Sequence, residues 1–142
     1  MSRVVTTRSP EETERLAAGL AKRSKPGDVI CLIGPLGSGK TTFAKGFARG
    51  AGFKGDVTSP SFGLVREYRA GRRTVYHMDL FRVAPREIPN LGLEEYFADP
   101  RGICLIEWPG AARRILPKRR LEIRFSHRKD GRLLRLSDRG GI

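Results

Sequence analysis

Cysteine is nearly absent from this sequence: only Cys31 and Cys104 occur, far apart and without CxxC spacing. A disulfide framework and a thiolate metal site are therefore not expected. Each cysteine sits in a strongly apolar stretch and reads as a small buried hydrophobe. Long apolar runs are missing as well. None approaches the ~20 residues that cross a bilayer, and segment 1–6 lacks the apolar core of a signal peptide. A cytoplasmic protein without membrane contact is the expectation. Repeats, low-complexity tracts and long linkers are also absent, so residues 1–142 are expected to form a single domain around one core.

Negative charge is the other shortage. Against 28 Lys+Arg stand 15 Asp+Glu, a formal net charge of +13. The 39% apolar and 30% charged residues still describe a globular chain rather than a disordered one. Such an excess of cations suits an acidic partner, RNA foremost, or else it is a solvated basic surface. Composition alone locates no patch, and both readings stay open.

The chain then reads as alternating helix and strand. At Ser9-Pro10-Glu11-Glu12 a helix starts: Ser9 can cap, Pro10 suits the first helical position, and Glu12 can complete a capping box. Leu16, Ala17 and Leu20 recur on one face as far as Arg23. Lys25-Pro26-Gly27-Asp28 breaks that helix. Val29-Ile30-Cys31-Leu32-Ile33 is a continuous apolar run, the pattern of a strand covered on both faces. A second helix is expected over 42–49, ending at Gly50 or Gly52. Segments 64–68 and 74–79 read as a hairpin about a turn at 69–72. A short helix is expected at 93–97 and a second buried strand at Ile103-Cys104-Leu105-Ile106. Segments 120–125 and 132–136 read as strands about a turn at Asp130-Gly131. The whole predicts an α/β domain, a mixed β-sheet flanked by helices.

Between the first apolar strand and the helix after it stands Gly34-Pro35-Leu36-Gly37-Ser38-Gly39-Lys40-Thr41, the pattern of a phosphate-binding P-loop. Backbone N–H groups can meet phosphate oxygens only where side chains do not obstruct, and Gly34, Gly37 and Gly39 supply that freedom. Lys40, read as a surface loop lysine, puts a point charge against the β- and γ-phosphates. Thr41 offers a hydroxyl to Mg²⁺, and the helix dipole faces the same anions. Mg²⁺ also needs a carboxylate at the end of a neighbouring buried strand. Glu107 and Asp79 both qualify, Glu107 after the stronger apolar run. No Asn-Lys-x-Asp sequence is present to read guanine, which favours ATP over GTP.

Other residues have two readings each. Thr58-Ser59 can bond a phosphate oxygen or simply close an ST-turn, and Pro60 stiffens the chain beyond Ser59. His77, between Tyr76 and Met78, reads as a satisfied structural histidine before a proton carrier. Trp108 reads as a core-packing residue before one that presents a partner surface, and Arg82 as a phosphate ligand or an ordinary ion-pair partner. The carboxyl third is basic, with Arg113, Arg114, Lys118, Arg119, Arg120, Arg124, Arg128, Lys129, Arg132, Arg135 and Arg139. On a strand, Arg120, Glu122 and Arg124 share one face and Leu121, Ile123 and Phe125 the other. The polar face tracks an RNA backbone or solvates an edge.

Thr58-Ser59-Pro60-Ser61-Phe62, His77-Met78-Asp79-Leu80-Phe81-Arg82 and Glu107-Trp108-Pro109 come after the glycine loop in that order. Together they resemble the TsaE family, small bacterial ATPases of tRNA threonylcarbamoyladenosine biosynthesis, over nearly the whole chain. Departures are mild: Ser61 stands where the family usually has Thr, Phe81 where Tyr is common. The resemblance implies a P-loop NTPase-like fold and a Mg²⁺-dependent ATPase, weak alone and stimulated by partners. It would act with the threonylcarbamoyl transferase subunit and that subunit's non-catalytic paralogue, on tRNAs reading codons that start with adenine. It further implies that residues 36–41 hold the phosphates, and that Thr41 and Glu107 hold Mg²⁺. Asp79 would lie by the metal or the attacking water, segment 58–62 would act as a switch near the γ-phosphate, and Pro10 and Arg132 would border the adenine. Direct tRNA contact through the basic carboxyl third is left open. The competing reading is a small-molecule kinase, which shares the glycine loop but transfers the phosphoryl group to a bound acceptor.

Overall fold

The computed structural model describes residues 2–57 and 64–139. In chain order they form β1 (Ser2–Thr7), α1 (Pro10–Arg23), β2 (Val29–Ile33), α2 (Lys40–Ala51), β3 (Val65–Ala70), β4 (Arg73–Asp79), α3 (Leu93–Ala98), β5 (Gly102–Glu107), β6 (Arg120–Arg128) and β7 (Gly131–Arg139). Short 3₁₀ turns lie at Pro85–Asn90 and Pro109–Ala112.

Continuous apolar sequence dictates the middle of the sheet. Side chains alternate between faces along a strand, so an unbroken apolar run needs cover on both sides. Ile30 and Leu32 of β2 meet Phe43, Phe47 and Ala48 of α2 on one face, with Ala17 and Ala21 of α1 beside them. Val29 and Cys31 meet Cys104, Ile106 and Met78 on the other, under Leu93 of α3, Ile88 and Ala112. One seven-stranded sheet results, in the order β1-β7-β6-β2-β5-β4-β3. β2 lies parallel to both β5 and β6, and β4 parallel to β5, whereas β7 and the edge strands β1 and β3 pair antiparallel with their neighbours. Functional loops therefore gather past the carboxyl ends of β2, β4 and β5, where the strand order reverses direction. Burial pushes the Cys31 and Cys104 thiols up to about 12, as expected of cysteines used as small hydrophobes.

Helix α1 begins as its sequence prescribes, with one change of partner. Ser9 Oγ accepts the Glu12 N–H at 3.1 Å, but the Glu12 carboxylate takes the Arg8 N–H rather than that of Ser9. α2 extends to Ala51 and stops on Gly52 at φ 112°. Both strands of the carboxyl hairpin end three residues later than alternation indicated, and β7 also starts one residue earlier, with the turn at Lys129-Asp130. Strand β1 was not expected. Its six residues carry little apolar signal, and they form a strand because β7 offers an open edge to hydrogen-bond against. Segment 58–62, expected as a switch, lies outside the described residues.

Candidate nucleotide-binding site

The loop between β2 and α2 needs glycine for two different reasons. Gly37 and Gly39 hold φ of 73° and 103°, a region that side chains strain to enter. Gly34 is required by space: a Cβ there would sit 2.8 Å from the Phe125 carbonyl oxygen. Gly39 then opens α2 with no side-chain cap, so the first-turn N–H groups and the positive end of the helix dipole face the cleft. Ser38 Oγ is buried without a hydrogen-bond partner among the described residues. Such a loop is a cradle for a phosphate-sized anion.

Lys40 is not the surface lysine expected from its loop position. It is 4% exposed, its ammonium donates to the Gly34 and Pro35 carbonyls, and it lies 3.8 Å from the Trp108 ring centroid. Burial lowers its pKa below the ordinary lysine value, while the charges of Glu107 and Asp79 pull the other way.

Parallel pairing of β4 and β5 sets Asp79 directly opposite Glu107, so two carboxylates end neighbouring strands at the same level. Glu107 is 4% exposed and meets His77 Nε2 at 2.5 Å, and His77 Nδ1 lies 3.5 Å from the Tyr68 hydroxyl. His77 is buried and satisfied, as its sequence position suggested, but its partner is the site carboxylate. Asp79 Oδ1 accepts the Phe81 N–H at 3.0 Å. Immediately after Glu107 the chain turns through Trp108 at φ 55°, a costly conformation for a bulky residue. That turn takes Trp108 out of the core. It is half-buried between Lys40 and Phe81, whose ring centroid lies 4.7 Å away. Arg82 is exposed and lines no part of this cleft.

One cleft of about 450 Å³ joins these groups: Leu36, Gly37, Gly39, Lys40 and Thr41 on one side, Asp79 and Glu107 on another. Pro10, from the start of α1, and Arg132, from β7, close the remaining wall with Arg8. Only the family resemblance, and no local motif, had placed Pro10 and Arg132 at one site. The β1–β7 pairing brings them together, since Thr7 lies opposite Arg132, whose guanidinium reaches the Gly37 carbonyl at 3.3 Å. Tyr68 and Phe81 were given no role at the site: Tyr68 stands in no motif, and Phe81 was noted only as a position in the 77–82 motif. Among the described residues no three His, Cys, Asp or Glu converge into an all-protein metal cage. A hard cation here would draw on the Thr41 hydroxyl, a carboxylate and non-protein oxygens, the donor set Mg²⁺ takes beside phosphates.

The model of the family described as "Threonylcarbamoyl adenosine biosynthesis protein TsaE" matches residues 7–134. The chain belongs to the TsaE family. Among its relatives in that family, the Bacillus subtilis protein is 48% identical over 117 residues, 82% of this chain and 73% of that one. The Haemophilus influenzae protein is 38% identical over 109 residues, 76% and 68% of the two chains. The Treponema pallidum protein is 36% identical, with 88% of this chain and 92% of that one covered. All three relatives carry the name tRNA threonylcarbamoyladenosine biosynthesis protein TsaE. The crystal structure of Bacillus subtilis YdiB superposes with a TM-score of 0.85 at 40% identity, over 99% of this chain and 87% of that one. The P-loop architecture of the TsaE family is thus the architecture of this chain. No helix among its described residues is long and apolar enough to cross a membrane.

Proposed function

We propose that this chain works as one P-loop domain, a Mg²⁺-dependent ATPase of the cytoplasm that supports threonylcarbamoyladenosine formation in tRNA. The observation that carries the reading is the meeting of three features in one cleft. They are a glycine loop opening an uncapped helix, a buried lysine, and two carboxylates side by side at the ends of β4 and β5. The names of the relatives supply the pathway.

The roles derive from the chemistry of each group. The N–H groups of residues 36–41 hold the phosphates of ATP, and the Lys40 ammonium exchanges its loop carbonyls for phosphate oxygens. Thr41 and Glu107 hold Mg²⁺, which when bound supplies charge neutralisation at the phosphates. Asp79 orients the attacking water or supports the metal, and Pro10 and Arg132 border the adenine. The partners are the threonylcarbamoyl transferase subunit and its non-catalytic paralogue, and within the basic carboxyl third the exposed Arg128 and Lys129 at the β6–β7 turn are available for tRNA.

Lys40→Ala tests the assignment. Phosphate charge loses its cation in a partly desolvated site, so ATP turnover should fall by ~10²-fold or more while the melting transition stays cooperative. Undiminished turnover by the folded variant removes the phosphate role. ADP formation that appears only when a small-molecule acceptor is added would make the protein a kinase instead.

A further inference from the structure

A second and larger cleft, of about 690 Å³, opens on the other side of Phe81 and Trp108, which wall both. Its floor is aliphatic: Ile33, Leu80, Val83 and Leu116. Its rim is cationic: among the described residues, Arg113, Arg120, Arg124 and Arg139 surround a single carboxylate, Glu122. Three of the four arginines belong to a sheet face that α1 and α2 leave alone. Those helices pack on the Ile123, Phe125, Leu134 and Leu136 side of β6 and β7.

The arginines are costly where they stand. Arg120 lies opposite Arg139, and Arg124 opposite Arg135, two like-charge pairs across neighbouring strands. Glu122, 7% exposed, offsets part of this: it lies 2.8 Å from Arg120, 3.3 Å from Arg139 and 3.9 Å from Arg124. One carboxylate against four rim arginines leaves the rim strongly positive. The pairing to Glu122 also restricts Arg120 and Arg139 in orientation, so their remaining N–H groups are preorganised donors. Arg124 and Arg139 keep more than half of their side chains exposed.

We infer that this cleft docks an acidic segment of a protein partner, one that alternates carboxylate with aliphatic side chains. Carboxylates answer the arginine rim, and aliphatic side chains answer the floor. A single-stranded nucleic acid would instead need open aromatic faces on which to stack, and Trp108 has Lys40 and Phe81 against it. A second copy of the chain brings its own charge of +13 and is repelled. The inference rests on the reading that the protein works with the transferase subunits, and names the surface and chemistry of that contact.

Arg113→Glu and Arg124→Glu, each in the full-length chain, test it, with Arg72→Glu at the distant β3–β4 turn as a control for net charge. Association with the purified transferase pair is measured by titration, and binding of labelled total tRNA by fluorescence anisotropy. Each rim reversal should weaken association with the pair by about 10-fold or more, with Arg72→Glu and tRNA binding changed less than about 2-fold. Should Arg124→Glu fail to fold for want of its place beside Glu122, Arg113→Glu, outside that cluster, carries the test. Wild-type affinity for the pair in Arg113→Glu and in any folded Arg124→Glu overturns the docking surface and leaves the proposed function standing. Loss of tRNA binding with pair association intact assigns the cleft to RNA. No association of the wild-type chain with the pair overturns the partner reading, and the docking surface with it.

Discussion

At the scale of single residues, the site turns on two carboxylates that the sequence could not rank beyond the quality of the strands before them. Glu107 is the more deeply enclosed, and one Asp79 oxygen already accepts a backbone N–H. Glu107→Gln should therefore weaken Mg²⁺-dependent nucleotide binding more than Asp79→Asn, because the amide keeps volume but loses the charge a hard cation prefers. Titrating Mg²⁺ against each variant decides it, and the reverse ranking would give the metal to Asp79. If Glu107 holds the metal as proposed, His77, bonded to it, is its positioning residue. Removing a partner that orients a metal-binding side chain typically costs ~10- to 100-fold in metal affinity. His77→Leu should thus raise the Mg²⁺ requirement by about 10-fold, and His77→Gln, which keeps a donor, should recover most of it. Equal Mg²⁺ titrations for Leu, Gln and wild type would reduce His77 to core packing. The sequence had shown His77 as a buried strand residue. Its bond to Glu107 depends on the register of two strands some thirty positions apart in sequence.

At the scale of elements, helix propensity and helix packing disagree at Gly46, and packing decides. Gly46 sits inside α2 where a Cβ would come 2.4 Å from the Glu14 carbonyl oxygen of α1. Gly19, inside α1, has nothing within 4 Å of its would-be Cβ. The two alanine substitutions should have opposite signs. Gly19→Ala should stabilise by up to ~1 kcal/mol through helix propensity. Gly46→Ala should destabilise by about 1–3 kcal/mol, because backbone cannot retreat as a flexible side chain can. Denaturant midpoints for the pair check this, and stabilisation by both would mean the helices lie further apart than the structure shows. Local signals had marked both helices well: the Ser9 cap, Pro10 in the first turn and Gly52 at the end are short-range chemistry that any context would respect. They carried no information on how near α1 comes to α2. Strand β1 escaped notice for a related reason, since an edge strand owes its existence to the neighbour that pairs with it.

For the whole molecule, the question is what would complete the proposed ATPase site. In the structure Lys40 rests on its own loop carbonyls and Trp108 stands between the two clefts. Both suit a site whose working arrangement is completed from outside. The isolated chain should be a poor ATPase, and adding the transferase pair should stimulate it, with ATP favouring association over ADP. Partner-supplied arrangement raises phosphoryl-transfer rates by roughly 10³- to 10⁵-fold in other P-loop systems. Rapid hydrolysis by the chain alone, unchanged by either subunit, would end that view. The residues of the phosphate loop, the buried strands, the helix caps and the charge of +13 were all present in the sequence as such. Each rests on interactions within a few positions or on simple totals, and so needs no fold to be read. Only the tertiary structure set Asp79 beside Glu107, brought Pro10 to Arg132, drew Lys40 under Trp108 and gathered arginines from β6 and β7 around Glu122. Those contacts depend on strand order and register, and long-range pairing of that kind leaves no mark in any local stretch of the chain.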